Sequence, residues 1–179
     1  MMSGFGKRPL FVPVLAAILL AGLSSPSWGA SQASDAATGI EIISPSGGGK
    51  VLTPAQILAL PAVTVPVSFG TDHGPLKATF SGPLLWTVLR QAAADPKNPK
   101  LALREFVLVT GADGFAAVVA LGEIAPAFED KTIILATRMN GQMLAPGHFR
   151  IVVPGDKRGG RSVRDVVSIA VSLAGPKPD

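Results

Sequence analysis

Val63, Val65, Val67 and Phe69 alternate with Thr64, Pro66 and Ser68, the two-residue period of a half-buried strand. Pro66 has no N–H to give a ladder, which places this strand at a sheet edge or a bulge. A helical period follows: Leu84, Leu85, Val88, Leu89 and Ala92 share one face of a helix opened by Ser81-Gly82-Pro83. Between the two lie a polar loop from Gly70 to Pro75 and a short extended piece from Lys77 to Phe80. Upstream, Ile40 to Ile43 reads as a short strand and Pro45 to Gly49 as a loop. Thr53-Pro54-Ala55-Gln56 carries the marks of a helix start. Thr53 caps free backbone N–H groups, Pro54 fits the first helical position, and Gln56 completes a capping box. Pro61 stops that helix.

The second half is mainly β in pattern. Glu105 to Thr110 and Phe115 to Ala120 flank the turn Gly111-Ala112-Asp113-Gly114. Leu121 to Ala125 reads as a helical turn, Asp95 to Lys100 as a loop, and Lys131 to Met139 as one strand. Asn140-Gly141 is the strongest short hairpin signal in the chain. Phe149 to Val153 and Val166 to Leu173 make two more strands, joined by a glycine-rich basic loop from Gly155 to Arg164. No internal repeat is visible.

The amino terminus follows another pattern. Lys7 and Arg8 precede an apolar run from Leu10 to Leu23, and Ser27 and Gly29 place small residues before a cut at Ala30. The run is about 14 residues, short of the roughly 20 that span a bilayer as a helix. Residues 1–29 are therefore expected to be a signal peptide, with an uncleaved anchor as the alternative. Residues 30–50 form a flexible N-terminal segment and 51–175 the domain. A periplasmic or secreted protein follows, with no stable membrane span after cleavage. Lys7-Arg8-Pro9-Leu10-Phe11 serves either as an ordinary charged start for general secretion or as a weakened twin-arginine signal.

Export changes the charge balance. The whole chain carries 16 basic and 12 acidic residues, and Lys7 and Arg8 leave with the signal. A near-neutral domain with no Tyr and few aromatics is a poor nucleic-acid binder. The absence of cysteine excludes disulfides, thiolate-bound metals and a cysteine nucleophile. With only His73 and His148, a site of three imidazoles is excluded too.

The order of pieces is similar to a known family. Leu60-Pro61, the alternating strand, Ser81-Gly82-Pro83-Leu84-Leu85, Asp113-Gly114-Phe115, Ile134-Leu135-Ala136, Asn140-Gly141 and Gly147-His148-Phe149-Arg150-Ile151-Val152-Val153-Pro154 follow one another. From about Leu52 to Leu173 the chain resembles the molybdopterin-binding domain of the sulfite oxidase family, in a short, exported, single-domain form. The resemblance implies a mixed, β-rich α+β fold with a few short helices, its loops converging on a pyranopterin that holds molybdenum. In catalytic members a cysteine thiolate near the first core strand ligates the metal. The comparable stretch here, Val65 to Gly74, has no cysteine, and Ser68 is its nearest small polar residue.

Candidate binding residues are His73, Asp113, Arg138, Asn140, His148, Arg150, Arg158 and Arg161. His73 stands in a polar loop, where a solvated imidazole is the plainer role. Asp113 and Asn140 belong to turns that their own side chains or left-handed backbones satisfy. Arg150, at a strand start, pairs in prospect with Lys157, Arg158, Arg161 and Arg164 as a site for a small anion, since guanidinium forks suit phosphate and carboxylate oxygens. Three functions stay open. The first is a non-catalytic binding domain, with no cofactor of its own although the resemblance allows molybdopterin. The others are a molybdopterin-dependent oxidoreductase, alone or as a subunit, and an interaction protein with an empty cleft.

Overall fold

A computed structural model gives the structure of residues 39–175; the expected signal peptide, residues 1–29, and residues 30–38 of the expected flexible segment lie outside these described residues. Three sheets organise them. A five-stranded mixed sheet runs in the order β2 (Gly49–Leu52), β1 (Ile40–Ile43), β11 (Val166–Leu173), β5 (Glu105–Gly111), β6 (Ala116–Ala120). Its β1–β11 pair is parallel and the other pairs are antiparallel. A four-stranded sheet runs β3 (Ala62–Thr71), β4 (Gly74–Pro83), β8 (Arg138–Met139), β9 (Gln142–Met143), and β7 (Ile134–Ala136) pairs with β10 (Arg150–Val152). β1 and β2 belong to the sheet, so the folded domain reaches N-terminal of residue 51.

The β7–β10 pair divides the interior. Leu135 and Ile151 face a core built from the inner side of the five-stranded sheet and the helices, including Ile57, Leu85, Leu89, Leu121 and Ile169. Ile134, Ala136 and Val152 face a second core with Val65, Val67, Phe69 and Phe80 beneath the β3–β4 hairpin. Strands buried on both faces read as unbroken apolar runs, which is the pattern of Ile133-Ile134-Leu135-Ala136.

Several elements follow their local chemistry. Helix α1 (Pro54–Leu58) carries the Thr53–Gln56 capping box in full. β3 lies at a sheet edge, as Pro66 requires, with Val65, Val67 and Phe69 buried. Asn140 and Gly141 turn β8 into β9 at φ of 50° and 80°.

Four expectations need correction. Ser81 to Pro83 do not open a helix; they end β4, paired with Ala62 to Thr64, and α2 (Leu85–Gln91) starts after them. An added Cβ at Gly82 would press on the Leu135 carbonyl oxygen and sit 2.8 Å from Ala136 Cα, so glycine lets β4 cross β7 backbone to backbone. The stretch 131–139 is not one strand: β7 ends at Ala136, and Thr137 donates its N–H to Ser81 O as the chain passes to β8 in another sheet. Gly70 to Pro75 is not an open loop, since Thr71 pairs with Gly74 around the two-residue turn Asp72-His73. Asp95 to Lys100 runs into the short helix α3 (Pro99–Ala102), capped by the Asn98 side chain. α4 (Leu121–Ile124) follows β6 directly.

Candidate functional site

Three connections meet over the second core. They are the β3–β4 turn, the β5–β6 turn and the loop after β10, which makes one 3-10 turn at Gly159–Arg161. Gly70 N–H donates to Lys157 O at 3.0 Å and ties the first to the third. A cleft of about 700 Å³ lies among them, lined by Phe69, Asp72, His73, Leu76, Asp113, Phe115, Met139, Arg150, Arg158, Ser162 and Arg164, among others.

Arg150 is the half-buried cation of this cleft. Its place at the start of β10 carries the side chain over two rings of the second core, with Cζ 5.4 Å from the Phe80 centroid and 6.0 Å from that of Phe69. Nε donates to Ser162 Oγ at 3.0 Å, and that hydroxyl donates to Ile151 O at 2.9 Å. No carboxylate lies within ion-pair distance of it among the described residues. Burial lowers its pKa from the ordinary guanidinium value, Arg164 lowers it further, and Asp165 opposes both. A guanidinium fixed through Nε, with its terminal nitrogens towards a cleft, can receive an oxyanion in a forked, charge-assisted contact.

Of the eight candidates from the sequence, His73, Asp113, Arg150 and Arg158 line this cleft. Asp113 Oδ1 accepts from Phe115 N–H at 2.9 Å, leaving its second oxygen at the surface. Arg161 is engaged elsewhere. It forks onto Asp156 at 2.7 and 3.0 Å and reaches Glu123 at 3.1 and 3.2 Å, and the Asp156 bonds are the main reason its pKa is raised. Its chemistry is to pin the basic loop to α4. His148 lies outside the cleft, where its Nδ1 meets the Asp165 carboxylate at 2.7 Å with both side chains largely exposed. Asn140 Oδ1 accepts from Thr79 N–H at 2.9 Å beside a separate shallow groove, and Arg138 is exposed on β8. Phe69, Phe115 and Ser162 were absent from the sequence-based set of site residues, and Arg164 entered the reading only as a supporting cation beside Arg150. Arg164 stood in the basic loop, but nothing in its neighbours distinguishes it from Arg161.

The cofactor implied by the family resemblance tests the donor set. Arginines suit the anionic part of a pterin cofactor. The metal's thiolate has no counterpart, because the chain has no cysteine. Ser68, the nearest substitute, is exposed and lines the shallow groove beside Lys77, whereas its neighbour Phe69 lines the cleft. No group of three or more His, Asp or Glu side chains suited to a metal occurs among the described residues. The cleft presents arginine side chains and offers a metal no thiolate.

Comparison with known proteins agrees with this architecture. The crystal structure of the sulfane dehydrogenase SoxCD from Paracoccus pantotrophus has a similar fold, with a TM-score of 0.62 at 18% sequence identity. The similarity covers 78% of this chain and 39% of that one, so the chain spans well under half the length of that solved relative. No curated protein matches the sequence. The model of the oxidoreductase molybdopterin-binding domain family matches residues 50–176, and the chain belongs to that family.

Proposed function

We propose that this is an exported, non-catalytic member of the family, a binding domain whose cleft around Arg150 takes a small anionic ligand. The observation that carries this reading is Arg150 itself. It is a half-buried guanidinium with its Nε bonded to Ser162, set over two Phe rings, sharing its cleft with Arg158 and Arg164 and forming no ion pair with any carboxylate among the described residues. Burial without ionic compensation costs free energy that an arriving anion relieves. The missing thiolate supports the non-catalytic part.

Phosphate or sulfate should raise the melting temperature along a saturating curve, as a ligand bound only by the folded state does. A rise without saturation, shared by Arg150→Ala, removes the site. Family membership favours the second reading, an oxidoreductase or a subunit of one. Expression with the native leader in a molybdopterin-producing host, followed by metal analysis, decides between them, and near-stoichiometric molybdenum promotes the enzyme. Mass spectrometry of the same preparation should find Ala30 as the first residue. No helix among the described residues is long and apolar enough to cross a membrane.

A further inference from the structure

The cleft carries both signs of charge, and they do not neutralise each other. Arg150 lies half-buried on β10, with Arg158 and Arg164 exposed on the loop that follows. Asp72 and Asp113 line the same space from the exposed turns β3–β4 and β5–β6. Every ion pair formed among the described residues uses Lys131, His148 or Arg161, and none of these five side chains takes part. Apolar side chains share the lining: Phe69 is buried, and Phe115 is 51% exposed beside Asp113.

Size argues in the same direction. A bare oxyanion displaces only a few waters of roughly 30 Å³ each, which leaves most of about 700 Å³ unfilled. It also leaves two exposed carboxylates of the lining, Asp72 and Asp113, whose charge opposes its entry.

We infer that the cleft takes a zwitterion, with an anionic head on Arg150, a short apolar spacer along Phe115 and Leu76, and an ammonium group met by Asp72 and Asp113. This rests on the anion site proposed above and specifies what the anion is attached to. Each charge on such a ligand finds an opposite one already in place, and the spacer removes exposed aromatic surface from water. The arginines act as the deep anchor. The two aspartates select against simple anions.

The test is calorimetric titration of the mature protein at constant ionic strength. The ligands are a ladder of ω-amino carboxylates from β-alanine to aminooctanoate, each beside the unsubstituted carboxylate of equal length. At the best length the amino carboxylate should bind roughly fivefold tighter, the scale of two solvent-exposed ion pairs. Asp72→Asn with Asp113→Asn should erase that advantage, while the plain carboxylate, freed of the two opposing charges, binds somewhat tighter than to the wild type. Asparagine keeps the turn acceptor of Asp113, and a melting curve checks the fold. Equal affinity for the two ligand types, or a preference that survives the double substitution, overturns the zwitterion and leaves the anion site standing. Failure of both ligand types to bind, or binding unaffected by both Arg150→Gln and the exposed Arg164→Gln, overturns the anion site as well.

Discussion

Ser162 Oγ stands between Arg150 and the backbone, accepting from Nε at 3.0 Å and donating to Ile151 O at 2.9 Å. One buried hydroxyl thereby fixes the direction of the guanidinium. Ser162→Ala should cost about 1–2 kcal/mol of stability, the scale of a buried polar partner lost. It should also weaken anion binding several-fold, because Arg150 then has to be ordered by the ligand. Thermal melts with and without phosphate measure both effects. An unaltered phosphate response would mean that Arg150 is oriented by its Phe rings alone.

Arg161 and Arg150 should separate cleanly. Arg161→Ala leaves Asp156 and Glu123 side by side without their shared cation, for an expected loss of about 1–3 kcal/mol. The saturable response to phosphate should persist. Arg150→Ala should do the reverse, sparing most of the stability and removing the response. Matching behaviour of the two variants would place Arg161 in the binding site after all.

Gly82→Ala should be among the most damaging single changes in the domain. The new methyl would meet backbone atoms of Leu135 and Ala136, which cannot swing aside as a side chain can. A loss of roughly 2–4 kcal/mol, on the scale of overpacking in a rigid interior, should appear in denaturant unfolding. A melting curve equal to wild type would show that the β4–β7 crossing can open.

Gly141→Val should cost roughly 1–3 kcal/mol, because a β-branched side chain resists the φ of 80° that the turn uses. Gly141→Asn should cost far less, since asparagine tolerates that region. Equal melting temperatures for Val and Asn at this position would remove backbone strain as the cause.

Glu105 opens β5 with its carboxyl buried and Oε2 without a hydrogen-bond partner among the described residues. Burial raises its pKa above the ordinary 4.5. The folded state therefore holds this proton more tightly than the unfolded one, and stability falls as pH rises from about 4.5 through the folded pKa. Glu105→Gln should raise the melting temperature at neutral pH, with the gain vanishing below the unfolded pKa. A pH-independent difference between Glu and Gln would assign the effect to packing.

The local parts of the fold were legible because the residues that make them also stabilise them. Thr53 and Gln56 cap their own helix, Asn140-Gly141 sets its own turn, and Val65, Val67 and Phe69 bury one face of an edge strand that Pro66 announces. Partners distant in sequence hid the rest. Ser81 to Pro83 resemble a helix start, but pairing with Ala62 to Thr64 holds them extended. The apolar run before Met139 gave no sign that the chain changes sheets at Thr137, whose N–H bonds Ser81 O. Asp95 to Lys100 read as a loop because α3, at four residues, leaves no periodicity to read; the structure shows Asn98 capping it and Pro99 in its first turn. At the cleft, Arg150 was visible from its place at a strand start. The engagement of Arg161 was not, because Glu123 lies 38 residues away.

The placement of β11 bears on how the chain becomes a protein. This last strand is flanked by β1, among the first of the described residues, and by β5. During synthesis the β1–β2 and β5–β6 hairpins can each form early, but nothing joins them until residues 166–173 have emerged. The largest sheet is thus completed from the inside, by a contact between opposite ends of the domain, and such long-range closure slows folding. Until then the growing chain carries two separate hairpins with open inner edges, each in need of the same late strand.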